Sequence, residues 1–478
     1  MTRRVLSVAS ECVPLLKTGG LADVVGALPK ALAEHGWQMR VLMPAYPGLA
    51  TRLGKTEPLW SDADLFGGAA QILGGRVDGL DMLLLDAPHL YDRAGGPYGG
   101  PGGDHPDNDA RFAALSWVAA SIARDGLTDG WKPQVLHAHD WQAGFAPAYL
   151  RYYTDGRAKT VINIHTRGSQ RHAAAGRRAA LRLPSERFTA DGLEYYGNLS
   201  SLKAGLVTAD AITTVSPTYA RELMRPEFGM GLQGVIAARA DAVTGILNGV
   251  DTDVWSPEGD PAIIPYSAKK PAAKKKNRAA LIAEFGLGDF DGPLSVLVSR
   301  LTAQKGIDLI PDALTEYTAR GGALIVLGSG DPALEAAMLR AAGRDPERIA
   351  VKIGYDEALS HRLIAGGDAI LVPSRFEPCG LTQMYGLRYG TVPLVAATGG
   401  LNDTVIDATP AALAAGAATG VTFHPTDGLG FAQALRRLVE LFADRKAWSQ
   451  MQRNGMKAPV DWSQSSGRYA ALYESLTE

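Results

Sequence analysis

Short apolar runs, each too brief for a helix, recur along the first half of the chain. They lie at Val5, Leu6, Val8 and Ala9, then at 40–43, 82–86, 135–137, 161–165 and 211–215. Between most of them the apolar positions fall at helical spacing, as at Val24, Val25, Leu28 and Leu32. Unbroken apolar strands alternating with amphipathic helices predict a parallel sheet covered by helices on both faces. The pattern then starts again, with runs at 294–298, 323–327, 349–353, 370–372 and 392–395, followed by amphipathic helices over 431–456. A last helix is predicted from Asp461, with Tyr469, Leu472, Tyr473 and Leu476 along one face.

Two repeats of the pattern predict an α/β protein of two Rossmann-like, doubly wound domains, one over 1–247 and one over 248–458. The helix in 459–478 is expected to cross back to the first domain. In open sheets of this kind ligands gather beyond the carboxyl ends of the strands, so the residues just after each strand are the ones to inspect. The length agrees, since 478 residues exceed what one core holds.

Composition narrows the partners more than the fold. Hydrophobic residues make up 46% and charged residues 21%, ordinary globular usage, with a net charge of −2. A pI near 6.5 provides no field to draw in nucleic acid or an anionic membrane, and neither is expected as a partner. No apolar run approaches the ~18 residues a membrane span needs. The N-terminal text MTRRVLSVAS has no extended apolar signal region, and Cys12 and Cys379 are the only cysteines. The expectation is a cytoplasmic protein without a disulfide framework, metal or cofactor.

The first candidate site is KTGGLADVVGALP, 17–29, a strand-to-helix turn. Gly19 and Gly20 let backbone amides point at a ligand, the helix start adds partial positive charge, and Lys17 adds a full one. Read locally, this is either a seat for a phosphate or only a tight turn with a solvated lysine. The full stretch resembles the N-terminal signature of bacterial glycogen synthases and plant starch synthases. That resemblance implies a retaining glucosyltransferase of glycosyltransferase B architecture, with two Rossmann-like domains facing a cleft. Its donor would be ADP-glucose, its acceptor the non-reducing end of an α-1,4-glucan, and Lys17, Gly19, Gly20 and Asp23 would contact substrate.

Other stretches extend the resemblance. The Gly- and Pro-dense loop LYDRAGGPYGG is a surface loop on composition, but a similar loop in the family makes Tyr98 a candidate sugar-facing aromatic. In HAHDW, Asp140 reads as the N-cap of a helix over 140–149, or, by resemblance, as a residue supporting catalysis on the acceptor side. His165, at the end of the next strand, is a structural histidine or, by resemblance, a group orienting the transferred glucose. After it the text departs from the family: TRGSQRHAAAGRRAA, 166–180, is Arg/Ala/Gly-rich and lacks a periodic apolar face. True divergence, a disordered insert and a stretch translated out of frame are the three readings. If the residues are genuine, a loop without a core anchor predicts weak activity. A weakly active or non-catalytic glucan-binding homologue is therefore the alternative.

In the second half, NGVD makes Asn248 a candidate substrate contact by resemblance. SRLTAQKG carries Arg300 and Lys305, two cations able to clamp a diphosphate leaving group without a metal. VLGSGDPA satisfies a loose dinucleotide fingerprint through Gly328 and Gly330. No clear acidic residue follows to hold a ribose, so an oxidoreductase is disfavoured. By resemblance Tyr355 packs near the nucleotide base. PSRFEPCGLTQMYG is the second strong signature. Glu377 would face the donor sugar, and Cys379, Gly380, Leu381 and Thr382 lead into a helix whose free amides suit a phosphate. Glu377 has the chemistry of a nucleophile, but the family's matching glutamate is more often taken to bind sugar hydroxyls. Catalytic expectations therefore fall on Asp140, His165, Arg300, Lys305 and Glu377. A pyridoxal phosphate-dependent glucan phosphorylase shares the architecture, but its lysine motif is not evident.

Overall fold

The computed structural model describes residues 3–154, 158–165, 171–270 and 273–478. The chain divides into two compact units. One comprises Met1–Val215, Ala220–Leu247 and Trp462–Glu478; the other comprises Ser216–Tyr219 and Asn248–Asp461.

The first unit is built on a nine-stranded sheet. Its strands are β1 (Arg3–Val8), β2 (Trp37–Pro44), β3 (Glu57–Asp62), β4 (Ala70–Val77), β5 (Leu80–Asp86), β6 (Val135–His139), β7 (Lys159–Ile164), β8 (Ala211–Thr214) and β9 (Val243–Gly245). The spatial order is β9-β8-β7-β6-β1-β2-β5-β4-β3. Neighbours from β9 through to β5 pair in parallel, with Val5 opposite both Met39 and Val135, while β4 and β3 add an antiparallel edge. That edge was not legible as strand. β3 exposes half of its residues and β4 buries alternate ones, so neither makes a solid apolar run. Gly74 and Gly75 interrupt β4 because side chains there would strike Leu59 and Leu53, at 2.3 and 2.9 Å from a Cβ.

Helices α1 (Gly20–Ala33), α2 (Asn108–Asp125) and α3 (Phe145–Tyr153) belong to this unit. One core cluster joins Val5, Leu28, Leu32, Trp37 and Met39 to Tyr469 and Tyr473. The last two come from the final helix, so residues distant in sequence complete the first unit's core. His35 Nε2 meets Ser466 Oγ at 3.1 Å, Arg3 pairs with Glu474, and Trp37 and Tyr473 pack edge to face at 5.3 Å.

The second unit has a six-stranded, wholly parallel sheet. Its strands are β10 (Leu294–Val298), β11 (Ala323–Gly328), β12 (Ile349–Ile353), β13 (Ala369–Val372), β14 (Val392–Ala396) and β15 (Val421–Phe423), in the order β12-β11-β10-β13-β14-β15. Leu324, Val326, Leu371, Leu394, Phe431 and Leu438 centre its core. Helices α4 (Pro332–Arg344) and α5 (Thr382–Arg388) follow β11 and β13; α6 (Trp462–Thr477) is the final helix described above.

Candidate active site

In the first unit the sequence-predicted residues gather after β1, β6 and β7. Gly19 caps α1 and Gly20 begins it; a Cβ on either would meet no atom within 4 Å, so packing does not demand the glycines. The charges around this turn are balanced from within the unit. Lys17 Nζ sits 2.9 Å from Asp23 Oδ1. Glu11, buried just beyond β1, accepts the Thr18 hydroxyl at 2.9 Å and the Gly19 amide at 3.3 Å, and also the Thr18 amide. A carboxylate thus already accepts from the Gly19 amide, one of the two that the glycine pair offers to a substrate anion. Glu11 lies at a strand's carboxyl end, and that was the available signal for a residue the motif reading passed over.

Tyr98 is tied to the same carboxylate. Its hydroxyl donates to Glu11 Oε1 at 3.1 Å, shares a 2.7 Å hydrogen bond with Ser10 Oγ and accepts from Gln142 Nε2 at 3.2 Å. Burial, and then the Glu11 charge, push its pKa up. The hydroxyl is a fixed link to the glycine turn, while the ring packs near Phe112 and Trp141.

The expected helix cap at Asp140 is corrected. Asp140 has a φ of +53°, and α3 begins only at Phe145. Its Oδ1 accepts the His165 amide at 2.7 Å and its own amide donates to Asn163 O at 2.8 Å, so it stitches the ends of β6 and β7 together. Positive φ is uncommon outside glycine but least costly for Asp and Asn. His165 is 8% exposed, and its Nε2 lies 2.9 Å from His139 Nδ1. Burial holds both rings neutral, drawing His165 down to about 3.

The departed segment has anchors that its composition did not reveal. Residues 166–170 lie outside the described residues. From there His172–Ala174 forms a strand pairing with Asn198–Ser200, Ala173 and Leu181 are buried, and Tyr149 donates its hydroxyl to Leu181 O. Arg171 pairs with Asp104, and Arg177 Nε meets Asp109 at 2.8 Å. The expectation of no core anchor therefore fails for 171–180. These arginines help line a cavity of about 940 Å³ whose wall also carries Trp141 and Phe145.

In the second unit Lys305 and Glu377 form an ion pair, and Ser374 Oγ donates to the same Glu377 oxygen at 3.0 Å. Both line a cavity of about 60 Å³ together with Gly380, Leu381 and Thr382, where α5 begins without a side-chain cap. Glu377 is 8% exposed. The turn holding it is gripped by Gly399, whose Cβ would come within 1.9 Å of Glu377 O and whose φ is +46°; no other residue fits there. Arg300 follows β10 on the surface. Cys379 is buried, with the Asn248 amide donating toward its sulfur, and desolvation raises its pKa to about 12, so it is no nucleophile at neutral pH. Asn248 is itself buried. Tyr355 is not part of this cluster and stands 77% exposed.

The dinucleotide fingerprint has a structural explanation. A Cβ on Gly328 would lie 1.9 Å from Ser299 O, and one on Gly330 would lie 2.4 Å from Leu301 O. Asp331 caps α4 and the Gly330 amide donates to Glu335 Oε1 at 2.7 Å. These glycines seat the Arg300 loop against the sheet.

Comparison with known proteins accounts for the whole chain. Residues 4–238 match the family model for the starch synthase catalytic domain, and 292–441 match glycosyl transferases group 1. A glycogen synthase of Cereibacter sphaeroides is 65% identical over 473 residues, 99% of this chain and 98% of the relative. The chain belongs to the glycogen synthase family. A second member, the glycogen synthase of Paracoccus denitrificans, is 57% identical and covers 99% of each chain. Among solved structures, the catalytic domain of starch synthase IV from Arabidopsis thaliana, bound to ADP and acarbose, matches 100% of both chains with a TM-score of 0.87 and 31% identity. A sucrose-phosphate synthase of Thermosynechococcus elongatus shares the fold at a TM-score of 0.61, 18% identity and 99% coverage of each chain. The glycogen synthase family member described here is thus a glycosyltransferase of the B-type fold, and no helix among its described residues is long and apolar enough to cross a membrane.

Proposed function

We propose that this chain transfers glucose from ADP-glucose to the non-reducing end of an α-1,4-glucan with retention of configuration, acting in the cytoplasm. The observation that carries the proposal is the Lys305–Glu377 pair at the uncapped start of α5, in a chain 65% identical to a glycogen synthase along its length. The ADP held by the Arabidopsis starch synthase supports an adenine nucleotide donor.

In this reading Lys305 and Arg300 take up charge as the diphosphate leaves, an electrostatic contribution that grows toward the transition state. Glu377, held by Lys305 and Ser374, binds donor-sugar hydroxyls through its second oxygen; Gly380, Leu381 and Thr382 offer backbone amides to phosphate oxygens. Asn248 and Tyr355 are assigned to the nucleotide sugar, and Lys17, Gly19, Gly20 and Asp23 to donor contacts from the first unit. His165 orients the glucose and Asp140 fixes the His165 backbone. The first unit's cavity, with Trp141 and Phe145 beside carboxylates and arginines, has the mixed apolar and hydrogen-bonding character that suits a glucan. A purely glucan-binding role is not favoured, because the departed segment is anchored from Arg171 onward.

The test is incubation with labelled ADP-glucose and glycogen. The expected result is chain growth through α-1,4 links and a higher kcat/KM for ADP-glucose than for UDP-glucose. Glycogen binding without incorporation of label would refute the proposal.

A further inference from the structure

His165 does not act alone. Ser7 on β1 and His139 on β6 are both fully buried, and they run in line to it: Ser7 Oγ lies 3.0 Å from His139 Nε2, and His139 Nδ1 lies 2.9 Å from His165 Nε2. Each contact joins two groups that can donate or accept, so the row has two self-consistent directions. One ends with a proton on His165 Nδ1, the other with a bare Nδ1 lone pair.

The serine decides between them. Among the described residues the Ser7 hydroxyl has no hydrogen-bond partner other than His139 Nε2. If His139 donated to Ser7, the serine hydrogen would be buried without an acceptor, a cost a folded core avoids. If Ser7 donates, its hydrogen and the one between the two rings both have acceptors. His139 then carries its proton on Nδ1 and donates to His165 Nε2, and His165 is left protonated at Nδ1. Both rings are neutral at physiological pH, so each has one donor and one acceptor and the order propagates.

We infer that Ser7 and His139 are positioning residues that fix the tautomer of His165, so that its Nδ1 faces the substrate as a hydrogen-bond donor. The inference rests on the reading that His165 contacts the transferred sugar, but the tautomer is measurable without it. The function of the row is selection. A donor at Nδ1 rewards an oxygen lone pair on the sugar and disfavours a hydroxyl that has to donate there.

The test begins with the full-length, histidine-¹⁵N-labelled protein. Long-range proton–nitrogen correlation, assigned by the signal lost in His165→Asn, is expected to show His165 protonated at Nδ1 and bare at Nε2. Protonation at Nε2 overturns the inference whatever the protein's activity. Kinetics supply the second arm. Ser7→Ala is expected to mix the His165 tautomers and lower kcat about tenfold, the weight of one buried hydrogen bond, with the donor KM within about twofold. Ser7→Thr, which keeps the hydroxyl, is expected to restore the Nδ1 signal and most of kcat. Unchanged kcat in Ser7→Ala, or equal losses in both variants, also overturns it. Should Ser7→Ala not fold, the wild-type spectrum decides. A wild-type protein that transfers no glucose defeats the functional proposal and leaves the spectrum readable.

Discussion

Lys305 and Glu377 are bound to each other: the lysine ammonium rests on the glutamate oxygen that Ser374 also donates to, at the start of a helix with no side-chain cap. A lysine so held has little rotamer freedom left to lose when a diphosphate forms beside it. Lys305→Ala is therefore expected to lower kcat by about 10²–10³ while glycogen affinity changes little. Steady-state kinetics with both substrates varied, alongside a glycogen sedimentation assay, check this. Matching losses in turnover and glucan binding would remove Lys305 from leaving-group stabilisation.

The same pair bears on the chemistry of Glu377. A carboxylate neutralised by an ammonium and a hydroxyl is a poor nucleophile and a good clamp for sugar hydroxyls. Intact-mass spectrometry after mixing with ADP-glucose in the absence of glucan is expected to show no glucosyl adduct. Glu377→Gln is expected to retain more activity than Glu377→Ala. An adduct mapping to Glu377 would establish the double-displacement route instead.

Gly399 is where the fold determines the position of that carboxylate. Gly399→Ala forces a side chain into Glu377 O and strains a left-handed backbone, at least about 1 kcal/mol before any clash is relieved. The variant is expected to melt several degrees lower and to lose kcat beyond what its stability explains. Scanning calorimetry and initial rates below the transition separate the two effects.

A buried pair in the second unit sets a pH window for stability. His361 Nδ1 meets Asp260 Oδ2 at 2.7 Å, and Trp255 is sandwiched between His361 and Tyr385 at 3.8 and 3.7 Å. Burial alone would lower His361, but the Glu357 and Asp260 carboxylates outweigh it and raise its pKa. Burial alone would raise Asp260, but the Tyr389 hydroxyl, the Ala262 amide and His361 hold it down. The His361 contribution is fully present below its ordinary value of about 6.5 and is lost as pH rises through the raised folded value. The Asp260 contribution is present above about 3.9 and is lost as pH falls through the depressed one. His361→Asn is expected to flatten the fall in the urea midpoint above pH 6.5 relative to wild type. Parallel curves would show that the pair carries no linkage.

The strands of both sheets that are buried on both faces were legible because continuous apolar runs have few other uses. The β3–β4 edge was not, since a half-exposed antiparallel ribbon with two packing glycines has no such run. Lys305, Glu377, Gly380, Leu381 and Thr382 were found as motifs, and the structure brings them to one cavity wall. Ser7 escaped notice because it acts on His139, far away in sequence, which no local spacing encodes; Glu11 lies seven and eight residues before Thr18 and Gly19, but the glycine motif begins only after it. Asp140 was misread for a related reason. An Asp before a helix suggests a cap, and only the neighbouring strand reveals that its carboxylate serves the His165 amide. Composition likewise made 171–180 look unanchored, because its partners Asp104 and Asp109 lie outside the segment, just before and at the start of α2.

The final helix carries a consequence for biosynthesis. Its Tyr473 hydroxyl pairs with His137 Nδ1 at 2.7 Å and its Tyr469 hydroxyl accepts from Asn163 Nδ2 at 3.2 Å, beneath the strands that present Asp140 and His165. On the ribosome these tyrosines emerge only after the entire second unit has been translated. The first unit therefore waits, unfinished, through the synthesis of its neighbour, and the histidine layer closes only when the helix arrives.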